Sequence, residues 1–192
     1  MCVLKSIGAM SALTLAIAFA APARADTFVV YGATGNIGSV IVNEALSRGH
    51  TVIGVSRDPT KSKLENKNFK AVVGDVTDVA SFKKVTQGAD AVIISVGGPG
   101  TDSDPKNSIN AKAARTAVEA FTGAAKSPQV IQIGGAMTLA ESKEAIEARL
   151  PPPAKPGTPM YAAFMGQYEA LQTYRASKIR WTVLTPPSEI QK

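Results

Sequence analysis

Cysteine and histidine are nearly absent from these 192 residues: the only cysteine is Cys2 and the only histidine is His50. A disulfide needs two thiols, so a structural disulfide is excluded, and so are thiol catalysis and a cysteine-based metal site. His50 stands in Ser47-Arg48-Gly49-His50 with no second imidazole or thiol to share a metal, and it reads as a loop residue. A long membrane span is missing too. The one extended apolar run, Ile7 to Ala21, is interrupted by Ser11 and Thr14 and ends at Pro22, which is too short to favour spanning. Acidic residues are outnumbered, 15 against 21 basic ones, for a formal net charge of +6. The basic residues are scattered, which suits solubility better than a nucleic-acid stripe, although the excess mildly favours an anionic ligand.

What stands at the N-terminus instead is the plan of a secretory signal peptide. Lys5 supplies a charged start, the apolar run follows, and Ala23-Arg24-Ala25 offers a small-residue cleavage site before Asp26. The alternative is an uncleaved anchor. Without a twin arginine, export is expected to be of the Sec type, with cleavage after Ala25, leaving a periplasmic or secreted protein with no stable membrane span. Cys2 is too close to the start to serve as a lipoprotein cysteine, and it would leave with the signal. Loss of Lys5 and Arg24 lowers the net charge to +4 from the +6 of the whole chain.

The remaining length suits one domain. Thr27 to Tyr31, Thr51 to Val55, Lys70 to Val73, Ala91 to Val96, Val130 to Ile133 and Arg180 to Leu184 are short apolar runs rich in Val and Ile. Continuous hydrophobicity of this kind predicts strands buried on both faces, hence a parallel sheet with helices on either side. Helical stretches fall between them: Ile37 to Ser47, stopped by Arg48-Gly49, then Asp78 to Val85, the Ala-rich Asn107 to Ala125, and Met160 to Ala176. The rhythm is that of an α/β doubly wound fold with expected strand order 3-2-1-4-5-6. A short charged helix, Glu141 to Ala148, and the proline-rich stretch 151–159 break the rhythm. The latter reads as a partly polyproline II spacer or as the rim of a substrate site.

Gly32-x-x-Gly35-x-x-Gly38 follows the first strand and opens the first helix. In that position the first glycine permits a tight turn, the second lets backbone approach a pyrophosphate, and the third lets helix pack on strand, with the helix N-terminus facing the anion. A tight turn with no ligand is the plainer reading. Ser56 and Arg57 end the second strand, where an acid would select NAD and an arginine the 2′-phosphate of NADP. NADPH is therefore favoured, with NADH possible. Asp58 argues the other way unless it only caps a turn before Pro59. Asp75, after the third strand, can reach an adenine amino group or serve as a turn aspartate. Gly97-Gly98-Pro99-Gly100 and Gly134-Gly135-Ala136 close the fourth and fifth strands, at the edge where ligands of such sheets bind. The residues expected around the cofactor are Gly32, Thr34, Gly35, Asn36, Ile37 and Gly38, then Ser56, Arg57, Asp75 and Val76. Val96, Gly97, Gly98 and Gly134 complete the set, the last three lying beneath the nicotinamide.

By these residues, together with Ile133-Gly134-Gly135-Ala136 and Trp181-Thr182-Val183-Leu184-Thr185-Pro186-Pro187, the chain resembles the atypical short-chain dehydrogenase/reductase group and, within it, NADH-flavin reductase-like proteins. The resemblance implies a Rossmann fold that binds NAD(P)H and passes hydride to a flavin or similar planar small-molecule acceptor, the flavin being a substrate rather than a bound cofactor. The Tyr-x-x-x-Lys pair of many such enzymes is not found at its usual place. Four residues after Tyr161 stands Met165 and four after Tyr168 stands Gln172, whereas Tyr174 and Lys178 have the spacing but fall at the end of the last helix. Alcohol or ketone chemistry thus lacks its general acid/base, while flavin reduction does not need one, and no catalytic residue is assigned. Gly135 and Tyr161 are the candidate acceptor-pocket residues, with plain packing the alternative for Tyr161. Trp181 reads as strand core. Relatives of this kind continue past Pro187 through further elements, so a shortened C-terminus is expected. A non-catalytic dinucleotide-binding or sensor protein is the competing function, and a degenerate exported remnant is a weaker one.

Overall fold

Six Val- and Ile-rich runs form one parallel sheet in the computed structural model, which describes residues 24–186 apart from 59, 61, 140 and 141. The strands are β1 (Thr27–Tyr31), β2 (Thr51–Ser56), β3 (Phe69–Val73), β4 (Ala91–Ile94), β5 (Gln129–Ile133) and β6 (Trp181–Leu184). Their order is β3-β2-β1-β4-β5-β6, as the alternation of elements predicts. Each neighbour is joined in parallel register, Val29 opposite Ile53 on one side and Val92 on the other. The signal segment lies outside the described residues but for 24 and 25, as does Pro187. No helix among the described residues is long and apolar enough to cross a membrane.

Burial on both faces holds at the centre and fails at the edges. β4 is buried throughout, and Val29 and Val30 of β1 are fully enclosed, whereas Val73 on β3 is 67% exposed and Leu184 on β6 is 50% exposed. β3 and β6 have a single strand neighbour each, so their apolar residues cover the sheet's ends rather than fill its middle. Along β1 successive side chains point to opposite faces. Val29 and Tyr31 join Phe82, Ala113, Ala114, Ala117, Phe121 and Tyr174 in one core layer, beneath α2 (Val79–Val85), α3 (Ile109–Phe121) and α5 (Pro159–Arg175). Val30 joins Val42, Ala45, Val52 and Ile93 in the other, beneath α1 (Asn36–Ser47). The alanines of α3 let that helix sit close on the sheet.

Several boundaries differ from the sequence pattern. β4 ends at Ile94 rather than Val96: the Ser95 N–H still bonds the Tyr31 carbonyl at 2.9 Å, but the chain then leaves the sheet through Gly98, whose φ of +107° suits glycine. α3 begins at Ile109 rather than Asn107. Pro105–Asn107 form a separate 3-10 turn, and Ser108 caps α3 by accepting from the Ala111 N–H at 3.2 Å. The charged helix is α4, Lys143–Glu147, capped by Ser142. The proline-rich stretch is no extended spacer. Its Ala154 and Thr158 amides bond back to Pro151 and Lys155 in successive tight turns, and Ala154 is buried. At the opposite end of the sheet, His50 lies in the loop before β2, as expected, where its Nδ1 accepts from the Asp26 N–H at 3.1 Å and its ring lies against Phe28.

Candidate functional site

The turn after β1 is built from three glycines with different constraints. Gly32 has φ +78°, and a Cβ on it would collide with the Ser95 carbonyl, so only glycine allows β1 to turn there beside β4. Its N–H and that of Ala33 both reach the Val55 carbonyl, at 3.0 and 3.4 Å. A Cβ on Gly38 would collide with the Gly32 carbonyl, so α1 packs directly on the turn. Gly35 is freer, since an added Cβ would meet only the Gly32 carbonyl oxygen, at 3.2 Å.

Gly35 is also the N-cap of α1, and it provides no side-chain cap. The helices α2, α3, α4 and α5 are each capped by a side chain, from Asp78, Ser108, Ser142 and Thr158 in turn. The first amides of a helix have no carbonyl within it. Those of α1 are therefore offered outward, with the positive end of the helix dipole, to whatever occupies the cleft in front.

That cleft lies at the carboxyl ends of the strands and has two lobes. The larger, about 640 Å³, is bounded by the glycine turn, the ends of β2 and β3, the 95–102 loop, the start of α3 with Lys112, and Pro159, Ala162 and Ala163 of α5. The smaller, about 320 Å³, is bounded by Gly35, Asn36, Ile37, Asn110, Ile133, Gly134 and Gln167. The lobes share Gly35, Ser95, Val96 and Gly97, so the uncapped helix end stands where they meet.

Gly32, Thr34, Ser56, Arg57, Asp75, Val76 and Gly98 line the larger lobe; Asn36, Ile37 and Gly134 line the smaller; Gly35, Val96 and Gly97 line both. Gly98, expected beneath the nicotinamide, thus borders the larger lobe alone. Asp75 takes the turn role that one of its two sequence readings gave it. Its Oδ1 accepts from the Thr77 N–H and hydroxyl, each at 2.8 Å, closing a turn, while the residue borders the lobe. Those bonds, and then the Arg57 charge, hold its carboxyl below the usual aspartate range. Asp58 closes another turn through Thr60 and borders neither lobe, whereas Arg57 is exposed at the mouth of the larger one.

Three expected residues border neither lobe. Gly38 is buried under the turn. Gly135 lies behind the smaller lobe, and a Cβ on it would collide with the Gln167 carboxamide. Tyr161 packs with Ile146 and Met165 away from the cleft and donates its hydroxyl to the Glu147 carboxylate, which raises its pKa to about 12. The reason is helical phase. Pro159, Ala162, Ala163 and Gln167 share the face of α5 turned to the cleft, and Tyr161 points another way. Tyr174 is fully buried, its hydroxyl spent on Gln132 Oε1 at 2.7 Å, and burial pushes its pKa up.

Sequence reasoning missed Asn110, Lys112 and Gln167. Asn110 left a signal, a polar residue on the same stripe of α3 as the buried Ala113, Ala114 and Ala117. Gln167 left none, because its facing depends on where α5 lands.

A family model described as NAD(P)H-binding matches residues 32–191. An uncharacterized chloroplastic protein of Arabidopsis thaliana is 35% identical over 102 residues, covering 52% of this chain and 34% of that protein, so the match spans about a third of the relative's length. The crystal structure of a candidate epimerase from Bacteroides thetaiotaomicron superposes with a TM-score of 0.67 at 27% identity, covering 86% of this chain and 73% of the other. That of a candidate NADH-flavin reductase from Streptococcus pneumoniae does so at 0.65 and 24%, covering 84% and 71%. Uncapped helix, two-lobed cleft and family match agree: the chain belongs to the NAD(P)H-binding family, an atypical short-chain dehydrogenase/reductase-like group of Rossmann proteins.

Proposed function

We propose that the protein is an NADPH-dependent reductase that passes hydride to a flavin or a similar planar acceptor. The observation that carries this reading is the smaller lobe, where the ten residues that border it among those described include no ionisable side chain. In this reading the larger lobe would hold the adenosine half of the dinucleotide, the first amides of α1 after Gly35 would hold its pyrophosphate, and the smaller lobe would hold the nicotinamide, which when bound would supply the hydride.

The chain's own residues position and enclose. Arg57, exposed beside Ser56 at the end of β2, faces the place of a 2′-phosphate, and Asp58 is occupied with Thr60, which supports NADPH over NADH. Val76 and Val96 offer apolar surface to the rings. On the cleft-facing side of α5 the pairs four residues apart are Pro159 with Ala163 and Ala163 with Gln167, and none of these residues can exchange a proton as a tyrosine and lysine would. Transfer to a flavin asks only for alignment of two planar rings, with solvent supplying the proton. Epimerase or ketone chemistry asks for a proton-transferring group that the described residues of this lobe do not offer.

Adding FMN or riboflavin to the purified protein is expected to accelerate NADPH oxidation, read at 340 nm. NADPH binding without turnover on several acceptors would transfer the case to a binding or sensor protein. We further propose export through the signal segment, supported by Lys5, the run Ile7 to Ala21 and the Ala23-Arg24-Ala25 site. A cytosolic product retaining residues 1–25 on fractionation would refute it.

A further inference from the structure

Four polar residues are buried among the described residues, and two of them, Asn110 of α3 at 3% exposure and Gln132 of β5 at 2%, meet beside the smaller lobe. A polar group taken out of water costs stability unless its donors and acceptors find partners, so their bonds are followed atom by atom. Gln132 Nε2 lies 3.3 Å from the Asn110 main-chain carbonyl, which can only accept, so the nitrogen of this carboxamide must face α3. Its Oε1 faces the other way and accepts from the Tyr174 hydroxyl at 2.7 Å. Tyr174 is fully buried and keeps its proton, so this bond has one sense. The Asn110 side-chain atom that Gln132 Nε2 approaches, at 3.5 Å, is for the same reason its oxygen, Oδ1. Asn110 Nδ2 is therefore turned away from Gln132.

That nitrogen is the unspent end of the chain of bonds. Asn110 Nδ2 donates to nothing among the described residues, yet it is not sealed: the only side-chain atoms there that are both closed to solvent and unpaired are the Tyr31 hydroxyl and Gln167 Oε1. The little surface that Asn110 keeps thus includes Nδ2, and the cavity that Asn110 borders is the smaller lobe. The lobe has no charged side chain among its described residues, so a phosphate or carboxylate would find no cation there. A neutral amide donor held in one orientation suits a neutral oxygen.

We infer that Asn110 Nδ2 donates to a carbonyl oxygen on the planar ring that stands in the smaller lobe, and that Gln132 and Tyr174 are positioning residues that hold it in that sense. The inference rests on the dinucleotide reading above and deepens it by naming the group that orients the ring. Two carbonyls share this chemistry, that of the nicotinamide carboxamide and that of an acceptor such as an isoalloxazine, and the test separates them.

Isothermal titration of the purified protein would compare NADPH with 2′-phospho-ADP-ribose, which keeps the phosphates but lacks the nicotinamide. Steady-state turnover would compare FMN with methylene blue, a planar acceptor without a carbonyl. Asn110→Asp keeps the shape of the side chain and the oxygen that faces Gln132, but replaces the NH2 group by a second oxygen. If the carbonyl is the nicotinamide's, this variant is expected to weaken NADPH about tenfold, the scale of one hydrogen bond, and to spare 2′-phospho-ADP-ribose. If it is the acceptor's, both affinities hold and kcat/KM falls about tenfold for FMN relative to methylene blue. Either result supports the inference. Asn110→Leu, which lacks the donor without adding a charge, should move the same ratio in the same direction. Tyr174→Phe frees Gln132 from its fixed sense and should move that ratio by a smaller factor, whereas a merely structural loss weakens every ligand alike. Asn110 variants that leave both ratios unchanged, or lower all ligands in proportion, would overturn the inference, and Tyr174→Phe with the wild-type ratio would overturn the positioning role. Where neither acceptor turns over, the titration alone decides. Wild-type protein that binds neither NADPH nor 2′-phospho-ADP-ribose would bring down the dinucleotide reading itself, and the inference with it.

Discussion

The two lobes of the cleft meet at one helix end, yet they are made of different material. The larger is lined by strand ends and the loops that follow them, with Ser56 the last residue of β2, Arg57 directly after it and Asp75 two residues past β3. The smaller, besides Asn36 and Ser95, takes the polar residues Asn110 and Gln167 from α3 and α5, helices that cross tightly at Ser108 and Gly166. The larger lobe is thus a local consequence of chain direction, and the smaller a consequence of tertiary packing. Binding is expected to depend on the first and the course of chemistry on the second.

The largest effect should come where both lobes meet. Gly38→Val forces a side chain into the Gly32 carbonyl and lifts α1 from the turn, which should abolish NADPH binding by calorimetry and lower stability by roughly 2–4 kcal/mol in denaturant titration, the range for overpacking plus backbone strain. Retained binding would mean that the helix end is not the anion site. Next in size, Arg57→Asp acts on the larger lobe alone. It should weaken NADPH about 10- to 100-fold while leaving NADH within a few-fold, since a charge-assisted bond to phosphate is at stake. Equal losses for both cofactors would reduce Arg57 to general anion attraction.

How much could be read in advance follows the same division. The parallel sheet, its order and the glycine turn are legible because apolar runs, their spacing and glycine's backbone freedom are local properties. Ser56, Arg57 and Asp75 inherit that legibility by standing at strand ends. Tyr161 shows where it stops: the spacing of aromatic residues was visible, but the rotation of α5 about its axis was not, and Ala162, Ala163 and Gln167 face the cleft instead. Gly135 was placed near the right region for a different reason, since it makes room for the Gln167 head. Of the two readings of the proline-rich stretch, the extended spacer fails because proline content speaks to φ and not to the carbonyls that Ala154 and Thr158 find nearby, while Pro159 at its end borders the larger lobe.

The smallest effect belongs outside both lobes. The hydrogen bond from Tyr161 to Glu147 raises the phenol from its ordinary 10.0 to about 12. Its contribution to stability is therefore fully present below about pH 10 and is lost as pH rises through about 12. Tyr161→Phe should cost about 0.5–1.5 kcal/mol below pH 10, with the difference from wild type shrinking above it, and should leave NADPH affinity unchanged. A large loss of affinity or turnover would return Tyr161 to the site.

Most direct for the central claim is a crystal structure of the protein with NADP bound. The pyrophosphate is expected against the amides of Asn36 and Ile37, the 2′-phosphate beside Arg57, and the nicotinamide in the smaller lobe between Gly134 and Gln167. A dinucleotide whose pyrophosphate lies away from the α1 N-terminus, or whose nicotinamide stays outside the smaller lobe, would contradict the account.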